Sequence, residues 1–210
     1  MVSKLLLTGF TYYREYCINP SELVVEELSG HVINGFRVHG LVLPVSLGRA
    51  LSILNRYLRE LKPEIVVGVG LAPRAKKVVL ELAASNVAHY PDTPDVDGSC
   101  VWMKYLDDGG LRVLATRLPV HEVMEYCSRR GGHDITVGLS IGSYLCNAVA
   151  YMIHRYAWDH GVVGGFIHIP PHTDLALRLG LENYMPLKHV VDAIGCIIST
   201  VTMLYGGQGI

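Results

Sequence analysis

The order of apolar runs along this chain restricts the fold to one class. Continuous apolar or β-branched runs, such as residues 65–71 and 162–169, alternate with amphipathic stretches of about 10 to 15 residues. Runs of this kind are typical of strands covered on both faces, and intervening helices indicate crossover connections in a parallel sheet. The sequence therefore predicts an α/β fold, a three-layer α/β/α sandwich with a largely parallel, mixed central sheet.

Capping residues set the boundaries of several predicted elements. Asn19 before Pro20 is typical of a helix start, Ser46 is typical of an N-cap, and Pro63 ends the helix that Ser46 begins. We predict strands at residues 4–8, 36–45, 65–71, 78–87, 135–139 and 162–169, a hairpin of residues 102–104 with 111–116 and an irregular loop at 91–98. The predicted helices are one that starts at Pro20 and is stopped by Gly30, followed by helices at 47–61, 120–130, 144–159 and 187–205.

Length and composition limit the kind of protein. A single domain over residues 1–210 is large enough to form a substantial core. Half of the residues are hydrophobic, 18% are charged and the mean hydropathy is +0.30, which predicts extensive burial, including subunit contacts in a homo-oligomer. A net charge of -1 without a long basic run argues against a nucleic-acid partner and a polybasic membrane anchor.

Neither a signal peptide nor a membrane span is expected. The apolar start of the chain is too short for a signal peptide. The longest apolar stretch, residues 190–205, is interrupted by Asp192 and suits a buried core or interface helix. We therefore expect a cytoplasmic protein without a membrane partner.

Cysteine usage also favours the cytoplasm. The five cysteines are odd in number and form no CxxC pair, which argues against a disulfide framework and a thiolate zinc site. Cys127 and Cys196 are interpreted as small apolar residues on helices.

Cys146 differs from the other cysteines in its position. It lies where the predicted strand at 135–139 gives way to a helix, and the unpaired N–H groups and dipole of a helix N-terminus stabilise a thiolate. His168 lies at the end of the predicted strand at 162–169. Because ligands bind beyond the carboxyl ends of strands in open α/β sheets, we predict that Cys146 and His168 meet as nucleophile and base, with a buried helix cysteine as the alternative.

Glu81 is the candidate carboxylate that would orient the imidazole. It lies inside the otherwise apolar run 78–84, where an ionised and unpaired carboxylate would cost several kcal/mol. A buried imidazole would satisfy it. The alternative is that strand alternation turns Glu81 towards solvent.

Landmarks spread along the chain carry a family resemblance. They are Thr8-Gly9-Phe10, Ile18-Asn19-Pro20, Leu43-Pro44-Val45, Gly70-Leu71-Ala72-Pro73, Glu81, Asn86, Pro94-Asp95, Gly98, Leu118-Pro119, Tyr144-Leu145-Cys146-Asn147 and Gly165-Phe166-Ile167-His168. In this order and spacing they resemble pyroglutamyl peptidase I, the pyrrolidone-carboxylate peptidases, from near the N-terminus to at least Pro170.

The resemblance implies a function and a site. In that family a Glu, a Cys and a His form the catalytic triad, and they map onto Glu81, Cys146 and His168. The implied protein is a cytosolic cysteine exopeptidase with a phosphorylase/hydrolase-like sandwich, no cofactor and no metal, often a homotetramer. It would hydrolyse the amide after an N-terminal pyroglutamyl residue through a thioester, so its partner is a peptide or small amide with a blocked N-terminus.

The chain departs from the family around the expected binding elements. The family's first loop usually reads Glu-Pro-Phe-Gly-Gly after Thr-Gly-Phe, whereas residues 11–15 read Thr-Tyr-Tyr-Arg-Glu. Phe10 is kept and Tyr13 replaces a Phe, so these two are the predicted substrate-binding residues, although the tyrosines of this loop are equally interpretable as packed loop residues. The family's arginine before the Pro-Asp loop is missing, since no Arg occurs between Arg74 and Arg112.

Two functions from different classes are consistent with these features. The favoured one is a cysteine hydrolase acting on pyroglutamyl amides. The other is a repurposed or catalytically altered family member that binds a small ligand or acts as an oligomeric protein. His172 and Asp174 follow His168 but fit no common zinc spacing, so we expect no metal site.

Overall fold

A computed structural model describes residues 2–14 and 16–206. The strands are β1 (Ser3–Phe10), β2 (Val32–Ile33), β3 (Phe36–Leu43), β4 (Ile65–Leu71), β5 (Val78–Glu81), β6 (Ala83–Ser85), β7 (Ala88–Tyr90), β8 (Val101–Lys104), β9 (Val113–Ala115), β10 (Ile135–Gly138) and β11 (Val163–Ile169). The helices are α1 (Pro20–Leu28), α2 (Leu47–Leu61), α3 (Val120–Val123), which continues as a π-helix (Met124–Arg130), α4 (Leu145–His160), α5 (Thr173–Leu179) and α6 (Leu187–Gly206).

The central sheet is mixed, as predicted. Its strand order is β10-β5-β11-β4-β1-β3-β2. Strands β3, β1, β4 and β11 run parallel, and β10 runs parallel to β5, but β5 and β11 are antiparallel to each other. The antiparallel pair brings the end of β5 beside the second half of β11.

Helices cover both faces of the sheet and form two apolar cores. On one face, α1, α6 and the π-helix enclose a core that includes Leu5, Val67 and Ile197. On the other face, α2 and α4 enclose a core that includes Leu6 and Phe166. The predicted three-layer sandwich is confirmed.

The predicted helix caps are present. The Asn19 side chain accepts a hydrogen bond from the Ser21 N–H at 3.1 Å, and the Ser46 hydroxyl accepts one from the Arg49 N–H at 3.4 Å. Helix α2 has the predicted bounds. Helix α5 is an addition that its short, weakly periodic sequence did not reveal.

Two sequence predictions about strands are wrong. The strand predicted at 78–87 breaks at Leu82, so that β6 leaves the main sheet and pairs with β9. Strands β8 and β9 do not form a hairpin, because β8 pairs with β7 and β9 pairs with β6. The Asn86 side chain binds the backbone of the intervening turn, with its oxygen accepting from the N–H groups of Leu106 and Asp107, and so holds β8 and β9 on separate partners.

The expectation for Cys127 and Cys196 is also wrong. These two cysteines form a disulfide between the π-helix and α6. They are 69 residues apart in sequence, and their proximity depends on how both helices pack on the sheet.

Helix α6 is long and apolar enough, by length and composition alone, to cross a membrane. Its apolar side chains at Val190, Ile194, Ile197 and Val201 are fully buried in the core of this fold. Packing in this core accounts for the apolar character of the helix.

Candidate active site

Adjacent strands place the predicted acid and base together. His168 on β11 lies opposite Val79 of β5, and Phe166 lies opposite Glu81, so His168 and Glu81 are diagonal neighbours across an antiparallel pair. His168 Nδ1 lies 2.8 Å from Glu81 Oε1. Because an ionised carboxylate only accepts hydrogen bonds, the imidazole donates through Nδ1–H.

Glu81 does not face solvent, which excludes the alternative left open by the sequence. Its exposure is 3%, and that of His168 is 8%. The second carboxylate oxygen, Oε2, is buried and has no hydrogen-bond partner among the described residues. Without the imidazole, this buried carboxylate would have no side-chain hydrogen bond among the described residues, which would destabilise the fold strongly.

The thiol completes the arrangement from the helix side. Cys146 lies in the first turn of α4, and its Sγ lies beside Gly70, the residue paired with His168 in the sheet, so the sulfur interacts with the imidazole. Since Nδ1 is bound to Glu81, Nε2 is the ring nitrogen left to interact with the sulfur. The structure therefore brings the three predicted catalytic residues together at one edge of the sheet.

His168 is held as an imidazolium. Burial by itself lowers the pKa of His168, but hydrogen bonds to Cys146 and Glu81 and their negative charges outweigh it and raise the pKa to about 9. The Phe166 ring packs edge-on against the imidazole, with centroids 5.3 Å apart. The ring is therefore protonated at neutral pH and fixed in orientation.

Asn147 anchors the start of α4. Its side-chain oxygen accepts from the Ser85 N–H at 2.8 Å, and its amide donates to the carbonyls of Ser85 and Val87, both at 2.8 Å. This residue was a family landmark in the sequence, but its structural role depends on the break between β5 and β6. These bonds fix the helix turn that carries Cys146.

The absence of a side chain at Gly70 leaves room for the Cys146 sulfur. A Cβ at this position would lie 2.8 Å from Cys146 Sγ and 2.9 Å from the Phe166 ring. We expect Gly70→Ala to lower kcat/KM about 100-fold, because a sulfur displaced by about 1 Å no longer meets its base and its substrate together. The measurement is steady-state hydrolysis of a pyroglutamyl amide alongside thermal unfolding.

Gly68→Ala is the matched control for that prediction. It lies on the same strand, and its added Cβ would press on Phe166 at 2.5 Å and Ile153 at 2.8 Å without meeting Cys146. Both variants suffer overpacking, but only Gly70→Ala displaces the sulfur. Equal kcat/KM values for the two folded variants would contradict this account.

A cavity of about 280 Å³ opens beside Cys146. Both predicted substrate-binding residues, Phe10 and Tyr13, line it, and Tyr16 does as well, whereas Tyr12 is 64% exposed and lies outside the lining. The full lining comprises Phe10, Tyr13, Arg14, Tyr16, Asn19, Val45, Leu71, Pro73, Thr93, Tyr144, Leu145 and Cys146. A larger cavity of about 630 Å³ between α2 and α4 contains none of the three predicted catalytic residues, so we assign the site to the smaller one.

The Pro94 carbonyl organises the cavity wall. It accepts hydrogen bonds from the Tyr13 hydroxyl, from Arg14 Nη2 at 3.3 Å and from the Tyr144 hydroxyl at 3.5 Å. Burial, together with the Tyr13 hydroxyl, raises the pKa of Tyr144, so this phenol stays neutral. The loop carrying Pro94 is tied to the fold by buried Asp95, which accepts from the N–H groups of Leu47, Asp97 and Ser99 at 3.0 to 3.1 Å.

Within residues 2–14 and 16–206, no group of three or more His, Cys, Asp or Glu side chains is arranged so that it could hold a metal ion. His172 is buried and Asp174 is exposed, and burial lowers the pKa of His172. A thiol beside the cavity, next to an oriented imidazolium, is an arrangement that can support nucleophilic attack by the sulfur.

Comparison with known proteins agrees with this geometry. The family model for pyroglutamyl peptidase matches residues 3–203. The chain belongs to the pyroglutamyl peptidase family. A pyrrolidone-carboxylate peptidase of Saccharolobus islandicus is 36% identical over 174 residues, covering 83% of this chain and 82% of that protein. One from Halalkalibacterium halodurans is 32% identical over 197 residues, covering 92% of this chain and 96% of that protein.

Solved structures of this peptidase family match the whole fold. The pyrrolidone carboxyl peptidase from Thermococcus litoralis has a TM-score of 0.92 and 30% identity, covering 99% of this chain and 96% of that one. Within this fold, the first loop of this pyroglutamyl peptidase family member carries the sequence that departs from the family pattern. It places Arg14 on the cavity lining.

Proposed function

We propose that Cys146, His168 and Glu81 together hydrolyse the amide bond that follows an N-terminal pyroglutamyl residue. Family membership makes the protein a cysteine-type peptidase that removes N-terminal pyroglutamate. The observation that supports the residue roles is the hydrogen bond between Glu81 and His168, together with the proximity of Cys146 to the same imidazole, beside a small aromatic cavity. The alternative of a repurposed binding protein is not favoured by the family comparisons or by this arrangement.

The reaction proceeds in two halves. The Cys146 thiolate attacks the exocyclic carbonyl carbon, and the backbone N–H of Cys146 donates to the developing oxyanion. The His168 imidazolium then transfers its proton to the departing amine nitrogen as the C–N bond breaks, which leaves a thioester. Neutral His168 next takes a proton from water, the hydroxide attacks the thioester, and the sulfur leaves as thiolate with pyroglutamate released.

Glu81 acts through the imidazole. Its carboxylate stabilises the charged ring and fixes Nδ1 as the proton-bearing nitrogen throughout the cycle. Nε2 is thereby directed to the sulfur, the amine and the water in turn.

The cavity explains why a blocked N-terminus is preferred. Its inner wall includes Phe10, Val45 and Leu145, each less than 7% exposed. A free ammonium placed against this wall would lose its hydration without gaining a carboxylate partner, which costs several kcal/mol. A neutral lactam ring has no such charge to bury.

The function is tested with two fluorogenic amides of the same leaving group. We expect the purified protein to release aminocoumarin from the pyroglutamyl amide and not from the prolyl amide, whose ring nitrogen is a charged amine. Equal cleavage of both amides, or of neither, would overturn the proposal.

The raised pKa of His168 gives a pH prediction. The pKa rises from 6.5 to about 9, so the proton needed by the leaving amine is present at neutral pH and is lost as the pH rises through about 9. We expect kcat/KM to fall along an alkaline limb near pH 9. The raised pKa of His168 also contributes to the free energy of unfolding. This contribution is complete below pH 6.5 and is lost as the pH rises through about 9.

Glu81→Gln is the control for the pH prediction. Its neutral amide removes one of the two negative partners that raise the pKa of His168, so the alkaline limb should move to lower pH. An alkaline limb at the same pH in this variant would show that another group titrates there.

We also propose that the protein is a homotetramer acting in the cytoplasm. Exposed Leu111, Val113 and Trp158 line one hollow, and large apolar side chains of this kind favour a subunit contact. We expect sedimentation to give four times the 23.1 kDa chain mass, and a monomer would contradict the assembly. A reducing compartment suits the free thiol of Cys146, whereas a structural disulfide such as Cys127–Cys196 is usual inside cells only in hyperthermophiles.

A further inference from the structure

We propose that Arg14 makes this peptidase prefer pyroglutamyl peptides with an acidic residue immediately after the cleaved bond. This inference rests on the proposed function and adds the class of leaving group. Among the described residues that line the cavity beside Cys146, Arg14 is the only one with a positively charged side chain.

The position of Arg14 in the cavity determines which part of the substrate it meets. The buried wall formed by Phe10, Val45 and Leu145 suits the apolar lactam ring. Arg14 and Thr93 are exposed residues of the same lining and therefore form its mouth. When the ring occupies the inner wall and its carbonyl faces Cys146, the chain that leaves extends towards the mouth.

The guanidinium is held in place without being neutralised. It stacks on the Tyr13 ring at 5.0 Å and donates one hydrogen bond to the Pro94 carbonyl. No carboxylate within the described part of the chain forms an ion pair with it. A guanidinium has five N–H donors in a planar fork that matches a carboxylate, so most of its donors remain available.

The backbone conformation of Arg14 also indicates that its side chain is positioned for a function. Its φ is +53°, in the left-handed region that is unfavourable for a side chain of this size. Tyr13 and Tyr16 exchange both backbone hydrogen bonds, at 3.2 and 3.0 Å, and close the turn that imposes this conformation. Backbone strain of this kind is commonly retained where it positions a functional group.

The test compares two peptides that differ only in charge, pyroglutamyl-glutamate amide and pyroglutamyl-glutamine amide. The C-terminal amides remove the terminal carboxylate, so Arg14 can meet only the side chain. We expect kcat/KM for the acidic peptide to be higher by on the order of fivefold, as for an exposed ion pair, and the ratio to fall towards one at 1 M salt.

Variants assign that preference to one residue. Arg14→Gln should bring the ratio close to one, and Arg14→Glu should invert it and favour pyroglutamyl-lysine amide over the glutamine peptide. Arg59→Gln removes another exposed cation, in the last turn of α2 and outside this cavity, and should keep the wild-type ratio.

The outcomes separate this inference from the proposed function. If the wild type cleaves both peptides equally, or if Arg14→Gln slows both by the same factor, Arg14 does not select the leaving group although the peptidase function stands. If the wild type cleaves neither peptide nor the pyroglutamyl aminocoumarin amide, the proposed function fails and this inference fails with it.

Discussion

Replacing Cys146 by serine is expected to lower kcat/KM for a pyroglutamyl amide by a factor on the order of 10⁴ or more. The substitution removes one sulfur and keeps the size of the side chain, so the cavity and the Glu81–His168 pair remain in place. The imidazolium stabilises a thiolate but cannot keep a serine hydroxyl ionised, and the attack on the carbonyl is lost. Steady-state hydrolysis of the aminocoumarin amide measures the effect.

The other free cysteines provide matched controls. Cys17 and Cys100 are the remaining free cysteines in the described residues, and neither lines the cavity. Cys17→Ser and Cys100→Ser should retain wild-type kcat/KM, and the unfolding temperature of Cys146→Ser should stay close to that of the wild type. At mildly acidic pH, iodoacetamide should modify Cys146 selectively, as mapped by mass spectrometry. Normal hydrolysis by Cys146→Ser would remove this residue from the mechanism.

The sequence predicted that Cys146 and His168 lie close together, because each follows or ends a strand at the carboxyl edge of the sheet. That placement follows from the order of elements along the chain, and the helix at 144–159 and strand at 162–169 are strongly patterned. The burial of Glu81 could not be predicted in the same way, because a single acidic residue in an apolar strand can point either into the core or towards solvent. Its partner became apparent only from the antiparallel pairing of β5 with β11.

Other features depend on contacts between segments that no local pattern reports. Strands β8 and β9 have good hairpin spacing, yet each pairs with a strand from the segment between Ala83 and Tyr90. The sequence showed that Arg14 was unusual for the family, but only the turn closed by Tyr13 and Tyr16 places it on the cavity. The same limit applies to Cys127 and Cys196, which are 69 residues apart.

Removing the Cys127–Cys196 disulfide is expected to lower the free energy of unfolding by about 4 kcal/mol, the chain-entropy value for a closed loop of this length. For a chain of 210 residues this corresponds to a fall in Tm of roughly 8 to 16 °C. The measurement is thermal unfolding of the Cys127→Ala/Cys196→Ala double variant without reductant, beside the wild type. Thiol titration of the unfolded wild type should find three free thiols, those of Cys17, Cys100 and Cys146.

The position of the disulfide separates its effect on stability from catalysis. Cys127 belongs to the core under α6, whereas Cys146 packs against the core on the opposite face of the sheet. The double variant should therefore keep wild-type kcat/KM at temperatures well below its Tm. Cys17→Ala and Cys100→Ala, which break no cross-link, should change the Tm by far less. An unchanged Tm in the double variant, or five titratable thiols in the wild type, would show that this cross-link does not stabilise the protein, since only a bond formed before unfolding restricts the unfolded chain.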